Sequence, residues 1–123
     1  MRKLFWILPT MISCAAACSG PSDAAADGSW TPSKTLVSEV EASLKMPPNA
    51  FPLNTYVRYF AGEVADDRRL IVGTFLHDPE NAGIRIVERE KIPEVLDGGC
   101  DVVNLKYDIE RKEVLALFCN GEA

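Results

Sequence analysis

The sequence predicts a small α+β domain in which one N-terminal helix packs on an antiparallel sheet of about four to five strands. Three observations support this fold class. One stretch has apolar residues at helical spacing, several later runs are rich in β-branched and aromatic residues, and two cysteines are placed to close a final hairpin. A small β-barrel is the alternative fold.

The predicted helix covers residues 32–45. Thr31 provides a hydroxyl for the N-cap, and Pro32 suits the first helical position. The apolar residues that then share one helical face are Leu36, Val37, Val40 and Leu44. Because Met46 precedes Pro47, and a residue before proline is displaced from the α region, the helix should end before this pair.

Three runs after the helix have the composition of strands: residues 55–61, 69–76 and 83–88. The polar stretch 62–68 between the first two runs predicts a hairpin reversal. In the third run, isoleucines alternate with a charged residue, as in a half-buried strand. Residues 92–96 are too short a run to assign.

A final hairpin is predicted from strands at 101–107 and 113–118 around a polar reversal at 108–112. In a hairpin centred there, Cys100 lies directly opposite Cys119. Such a pair forms a structural disulfide in an oxidising compartment. A redox or metal-binding pair is the weaker interpretation, since the chain has no Cys-x-x-Cys and no histidine near either thiol.

The first residues read as a secretory signal peptide. Arg2 and Lys3 form a positive start, an apolar stretch follows at residues 4–13, and small residues lead up to Cys18. The apolar stretch is interrupted by Pro9 and is shorter than the roughly 20 residues that a bilayer-spanning helix needs. We therefore expect residues 1–17 to be removed and no transmembrane anchor to remain.

The run Ala15-Ala16-Ala17-Cys18 resembles the lipobox of bacterial prolipoproteins, and the resemblance covers about the first 20 residues. It implies that Cys18 is acylated and becomes the first residue of the mature chain. Because two or more acyl chains hold a protein stably on a membrane, the modified Cys18 would be a lasting anchor. By the same resemblance, Ser19 after the cysteine implies that the protein is attached to the outer membrane and faces the periplasm. Cys14 is a second candidate, and an ordinary cleaved signal peptide is the alternative.

After the leader, residues 18–30 are small and polar, which is typical of a flexible tether. Residues 31–123 then form a single α+β domain. Trp30 is the one large apolar residue of the tether. We expect it to pack at the edge of the domain rather than to stack on a ligand.

The charge of the chain excludes some partners. The leader holds two of the 13 basic residues and none of the 18 acidic ones, so the mature chain has a net charge of −7. A surface this acidic argues against nucleic acid and against electrostatic docking on anionic lipid. Membrane attachment should then depend on the lipid at Cys18 alone.

Catalytic signals are weak. His77 is the only histidine and lies in a predicted loop before Gly83. No Gly-x-Ser-x-Gly motif occurs, and one histidine cannot both bind a metal and act as a base. The preferred interpretation of this loop is a solvated hairpin turn, and the sequence indicates no cofactor and no metal.

The aromatic residues suggest a binding role instead. Strand alternation places Tyr56 and Phe60 on one side of their strand and Tyr59 on the other. At least one ring then faces away from the helix unless both sheet faces are covered. Such a ring is a candidate anchor for a partner. A core position is the alternative for each ring.

The sequence therefore predicts a lipid-anchored domain of the cell envelope that acts as a non-catalytic binding module, with another envelope protein as its partner. A small-ligand sensor or a hydrolase that uses the His77 loop is the alternative. An inhibitor of a wall-degrading enzyme is a third possibility, on size and location alone.

Overall fold

The computed structural model of the protein describes residues 29–121. These residues contain one α-helix and a sheet of five strands in the order β3-β1-β2-β4-β5. The elements are α1 (Lys34–Ser43), β1 (Tyr56–Ala65), β2 (Arg68–His77), β3 (Gly83–Ile86), β4 (Val102–Asp108) and β5 (Glu113–Cys119).

The α+β prediction is confirmed at the level of one helix and a small sheet. Two details differ from the prediction. The helix lies at residues 34–43 and not at the N-terminus of the chain, and the sheet is mixed because β3 runs parallel to β1. The sheet is open, so the barrel alternative is wrong. Within residues 29–121, no helix has the length and apolar character needed to cross a bilayer.

Helix α1 begins two residues later than predicted. Its N-cap is Ser33, not Thr31, and the Ser33 hydroxyl accepts a 3.1 Å hydrogen bond from the N–H of Leu36. The predicted apolar stripe is present, since Val37 and Val40 are buried in the core. The helix ends at Ser43 because the next residue is extended.

Strands β1 and β2 form a longer hairpin than predicted. The reversal expected over residues 62–68 shrinks to Asp66-Asp67, whose φ angles are 52° and 61°. Two left-handed residues in a row make the two-residue turn that matches the twist of antiparallel strands, and aspartate tolerates this conformation. Ala65 and Arg68 can therefore pair as the last rung of the ladder.

Strand β3 is parallel to β1 because of the path that leads into it. The chain leaves β2 at the end of the sheet where β1 starts, and the Asp78 N–H donates a 3.0 Å hydrogen bond to the carbonyl of Thr55. The loop therefore passes the start of β1, and Gly83 enters opposite Val57. Only four residues pair before the chain leaves the sheet.

The disulfide Cys100–Cys119 is present, with a Cα–Cα distance of 4.6 Å. The predicted strand register is wrong, however, because Cys119 pairs with Val103 and not with Cys100. Cys100 lies in a 3-10 turn before β4, after Gly98 and Gly99 with φ angles of 103° and 55°. These left-handed residues direct Cys100 back towards Cys119.

Both faces of the sheet are covered. The face towards α1, here called the helix face, carries a cluster of buried side chains: Trp30, Val37, Val40, Tyr56, Phe60, Ile71, Phe75, Val103, Leu105 and Tyr107. The opposite face carries Val57, Ala61, Leu70, Val72 and Val102, each less than 9% exposed. Residues 87–98, here called the covering segment, cross this second face, from Val87 hydrogen-bonded to Phe60 to Val95 hydrogen-bonded to Asn120.

An enclosed ion pair fastens the helix to the sheet. The Arg58 guanidinium donates from Nε and Nη2 to the two carboxylate oxygens of Glu41, at 2.5 and 3.1 Å. The two side chains are only 11% and 13% exposed. Bidentate geometry of this kind orients the two groups as well as neutralising them, so α1 has a defined position on β1.

Candidate functional site

The two outer edges of the sheet differ in length and protection. The β3 edge is four residues long. The Arg85 guanidinium folds back over it and donates to the carbonyls of Ile84 and Asn81 at 3.2 and 3.1 Å. An edge covered by a cation is a poor template for another strand.

The β5 edge is longer and apolar. Six of its seven residues pair with β4 on one side, and no described strand pairs with the other side. The Asn120 N–H donates to the carbonyl of Val102 at 2.9 Å. Because hydrogen-bonded positions alternate along an antiparallel ladder, the main-chain groups of Cys119 and Leu117 then point to the free side.

Exposed apolar side chains lie along this same strand. Phe118 is 54% exposed and Leu115 is 43% exposed. Leu115 sits in a β-bulge, because Ala116 pairs with Lys106 while Val114 pairs with the next β4 residue. A bulge bends one end of the edge, so the regular part of the free edge is Ala116–Cys119.

A cleft of about 290 Å³ borders the β5 edge on the opposite face. Its lining includes Arg89 and Ile92 of the covering segment, Lys106 of β4, and Ala116 and Phe118 of β5. Among residues 29–121, no carboxylate lines this cleft. The cleft therefore combines apolar surface with two cations beside an unpaired strand edge.

The two cations of the cleft differ in their contacts. Arg89 Nε lies 3.4 Å from a carboxylate oxygen of Glu63. The ammonium of Lys106 is exposed and has no hydrogen-bond or ion-pair partner among residues 29–121. Lys106 is thus the cation of the cleft that is available for a partner's charge.

His77 is not in a loop, as the sequence suggested, but ends strand β2. Its ring stacks on Phe51, with centroids 3.8 Å apart and an interplanar angle of 18°, and meets the edge of Tyr56 at 5.3 Å. Its Nδ1 lies 4.0 Å from a carboxylate oxygen of Asp101. His77 is therefore a packed aromatic residue and not part of the solvated turn, which is formed by residues 78–82.

Tyr56 and Phe60 are fully buried on the helix face, so neither offers its ring to a partner. Burial raises the pKa of the Tyr56 hydroxyl, and its hydrogen bond from the Phe51 N–H acts in the opposite direction. Tyr59 lies on the opposite face, as alternation predicted, and is half-buried. The structure thus brings Tyr56 and His77 together and separates them from Tyr59.

A second, more open groove of about 540 Å³ lies beside the disulfide. Phe51, Cys100, Asp101 and Asn120 are among its lining residues. The sulfur atoms of Cys100 and Cys119 form a disulfide, so neither residue has a free thiol that could act as a nucleophile. No group of three His, Cys, Asp or Glu side chains suited to a metal ion occurs in the described part of the chain.

Sequence reasoning placed the candidate contacts on β1 and on His77 and did not single out Leu115, Phe118 or Lys106. One signal was present: Leu115-Ala116-Leu117-Phe118 is a continuous apolar run in the last predicted strand, where a half-buried strand would alternate. Cys18, the predicted lipidation site, lies outside the described residues.

Comparisons of the chain with protein-family models, with curated proteins and with solved structures find no match. The contacts of the described residues and the leader motif are therefore the basis for any functional conclusion.

Proposed function

We propose that this protein is a lipid-anchored, non-catalytic binding module of the cell envelope, and that its partner is an envelope protein that adds an extended segment to strand β5. The observation that carries the proposal is the open β5 edge with the exposed side chains of Leu115 and Phe118. Proteins that expose an apolar edge strand either aggregate or use it to bind another chain.

The contrast between the two edges supports a binding use. The β3 edge carries the blocking feature that soluble sheets use against strand addition, a cation folded over its outer carbonyls. The β5 edge has only the bulge at Leu115. Residues 116–119 keep regular geometry. The free main-chain groups of Leu117 and Cys119 supply affinity when a strand is added, while the cleft supplies specificity.

The location follows from the leader. Cys18 in its lipobox-like context would hold the domain on a membrane, and Ser19 favours the outer membrane facing the periplasm. A domain held on a membrane meets an envelope partner at raised local concentration, so a modest edge interaction suffices. The acidic composition makes nucleic acid an unsuitable partner.

Membrane attachment is tested with Cys18→Ala. The mature wild-type protein should fractionate with membranes and carry acyl mass on residue 18, whereas the variant should not. Cys14→Ala is the matched control, because it removes the competing cysteine and should leave attachment unchanged. Soluble, unacylated wild-type protein would remove the anchor from the proposal.

Docking is tested in the producing cells with a photo-crosslinking residue at position 115 of the full-length protein. We expect one envelope protein to be captured, and Phe118→Lys to abolish the capture because lysine on an edge opposes strand addition. Val64→Lys is the control, since Val64 is 39% exposed but lies on β1, away from β5. Equal capture by the wild type and Phe118→Lys would contradict docking at this edge.

A second candidate function is a sensor or hydrolase for a small envelope molecule that uses His77. One observation favours it: His77, Phe51 and Asp101 lie together beside the groove at the disulfide. His77→Ala distinguishes the two functions. If the protein is a binding module, His77→Ala should leave partner capture and the cellular phenotype unchanged, whereas a sensor or hydrolase should show the phenotype of the deletion.

A further inference from the structure

We propose that the segment bound at the β5 edge places an acidic side chain opposite Ala116, in the cleft, where it pairs with Lys106. This inference rests on the proposed docking function and specifies the chemistry of the partner. The occupant is an extended segment of another protein, not a second copy of this chain.

The position of Lys106 makes the pairing sterically possible. Lys106 and Ala116 are cross-strand partners in the β4–β5 ladder, and their side chains point to the same face of the sheet. A strand added beside β5 lies about 10 Å from β4, which is two strand spacings. Because Ala116 is small, the long Lys106 side chain can extend across it towards this added strand.

The charges around the cleft favour an acid. Of the charged residues that the structure describes, Lys106 and Arg89 line the cleft and no carboxylate does, although the chain as a whole has a net charge of −5. Glu90 and Glu94 line an adjoining hollow that no β5 residue borders. Because Glu63 pairs with Arg89, Lys106 is the cation of this cleft that a negative group of the partner can complement, and such a pair supplies specificity.

A second copy of the chain that pairs antiparallel about Ala116 does not fit this arrangement. If two β5 strands paired antiparallel about Ala116, each Ala116 would face its own copy, and the acidic residue of the strand, Glu113, would lie three positions away. Lys106 would then have no carboxylate opposite it. A different protein with an acidic residue opposite Ala116 supplies the carboxylate that pairs with the Lys106 ammonium.

The test uses the full-length protein in its producing cells, with the photo-crosslinking residue at position 115, and the partner segment is mapped by mass spectrometry. The mapped segment should contain Asp or Glu. Lys106→Glu should lower the cross-link yield about tenfold, because a like charge then faces the partner's acid. Changing that acid to Lys in the partner should restore capture by Lys106→Glu.

Lys45→Glu is the matched control. Lys45 is exposed just beyond α1, so the substitution makes the same change in net charge away from β5, and capture should be unchanged. Lys106 is exposed, and Lys106→Gln removes the charge but keeps a polar side chain, so a loss with both Lys106 variants cannot be attributed to misfolding.

The outcomes separate the two proposals. Unchanged capture by Lys106→Glu together with loss by Phe118→Lys would overturn the acidic partner and leave docking at β5 intact. Unchanged capture by both variants would overturn docking itself. A cross-link between two copies of this chain, or a mapped segment without an acidic residue, would also overturn the present inference.

Discussion

The hydroxyl of Tyr56 donates a 2.6 Å hydrogen bond to the carbonyl of Cys100, 44 positions away in the sequence. The same hydroxyl accepts a 3.1 Å hydrogen bond from the N–H of Phe51. One buried side chain therefore connects the segment before β1 with the turn that carries the disulfide. This contact also sets the position of Phe51, on which the His77 ring stacks.

We expect Tyr56→Phe to lower the free energy of unfolding by about 1–2 kcal/mol, since it leaves the Phe51 N–H and the Cys100 carbonyl without their partner. Urea unfolding of the mature protein measures the change. Tyr59→Phe is the control, because no hydrogen bond of the Tyr59 hydroxyl is formed within residues 29–121. A Tyr56→Phe variant as stable as Tyr59→Phe would show that these two bonds do not stabilise the fold.

Removal of the disulfide should lower stability by about 3 kcal/mol in the chain-entropy model. The bond joins residues 19 positions apart, so reduction frees a loop of that size in the unfolded state. Without reductant, the Cys100→Ser/Cys119→Ser variant should unfold at a lower urea concentration than the wild type. With reductant present, the two proteins should unfold at similar urea concentrations. Under non-reducing conditions the wild type should weigh about 2 mass units less than its reduced form. Two free thiols in the native protein would refute the bond.

Gly62→Ala should destabilise the protein by about 1–3 kcal/mol through overpacking. A Cβ at this position would lie 2.1 Å from the backbone oxygen of Trp30 and 2.8 Å from its ring, so Trp30 must move. Trp30 is only 6% exposed, and its indole N–H donates to the Glu63 carbonyl at 3.0 Å. In the chain without residues 1–17 it is the one tryptophan, so its fluorescence should shift to the red.

Gly121→Ala is the matched control for this substitution, because nothing lies within 4 Å of a Cβ built there. Its stability and its fluorescence should equal those of the wild type. Unshifted fluorescence in Gly62→Ala would indicate that the close approach of Trp30 to β1 does not occur in solution.

Acid should destabilise the protein through Asp108. Its carboxylate is inaccessible to solvent, and its pKa is lowered from the usual 3.8, first by the N–H of Arg111 and further by the Arg68 guanidinium and the N–H of Glu110. Burial of the carboxylate acts in the opposite direction. Because the folded-state pKa lies below the unfolded value, the stabilisation is fully present above pH 3.8 and is lost as the pH falls through the folded-state pKa.

Thermal unfolding between about pH 5 and pH 2 measures this loss. Asp108→Asn should be less stable than the wild type at neutral pH and should lose less stability on acidification. Asp66→Asn is the control, since asparagine suits the left-handed turn conformation there. Parallel stability curves for the wild type and Asp108→Asn would rule out Asp108 as the source of the acid sensitivity.

Much of the local structure was predictable from neighbouring residues. The apolar stripe of α1, the strand composition of the two long hairpins and the alternation of Tyr56 and Tyr59 are short-range patterns, and the structure confirms each of them. The pairing of Cys100 with Cys119 was also predictable, because the described domain contains no other cysteine. The lipid anchor at Cys18 stays a prediction.

The candidate site was not predictable in the same way. An open edge is a property of strand order, and strand order depends on the path of the loops between strands. The turn of the chain past Thr55 makes β3 an edge strand that Arg85 then covers. The positions of β3 and β5 in the sequence do not show which of the two strands has a covered edge and which has an open one.

By itself, the sequence determined the element types, the cysteine pair, the acidic charge and the leader motif, because these depend on composition and on side chains a few positions apart. Tertiary structure alone decided the parallel pairing of β3, the register and bulge of β5, the stacking of His77 on Phe51, and the place of Lys106 beside an unpaired edge. These features arise where segments distant in the chain meet, and the packing of both sheet faces selects among pairings that local patterns leave equally favourable.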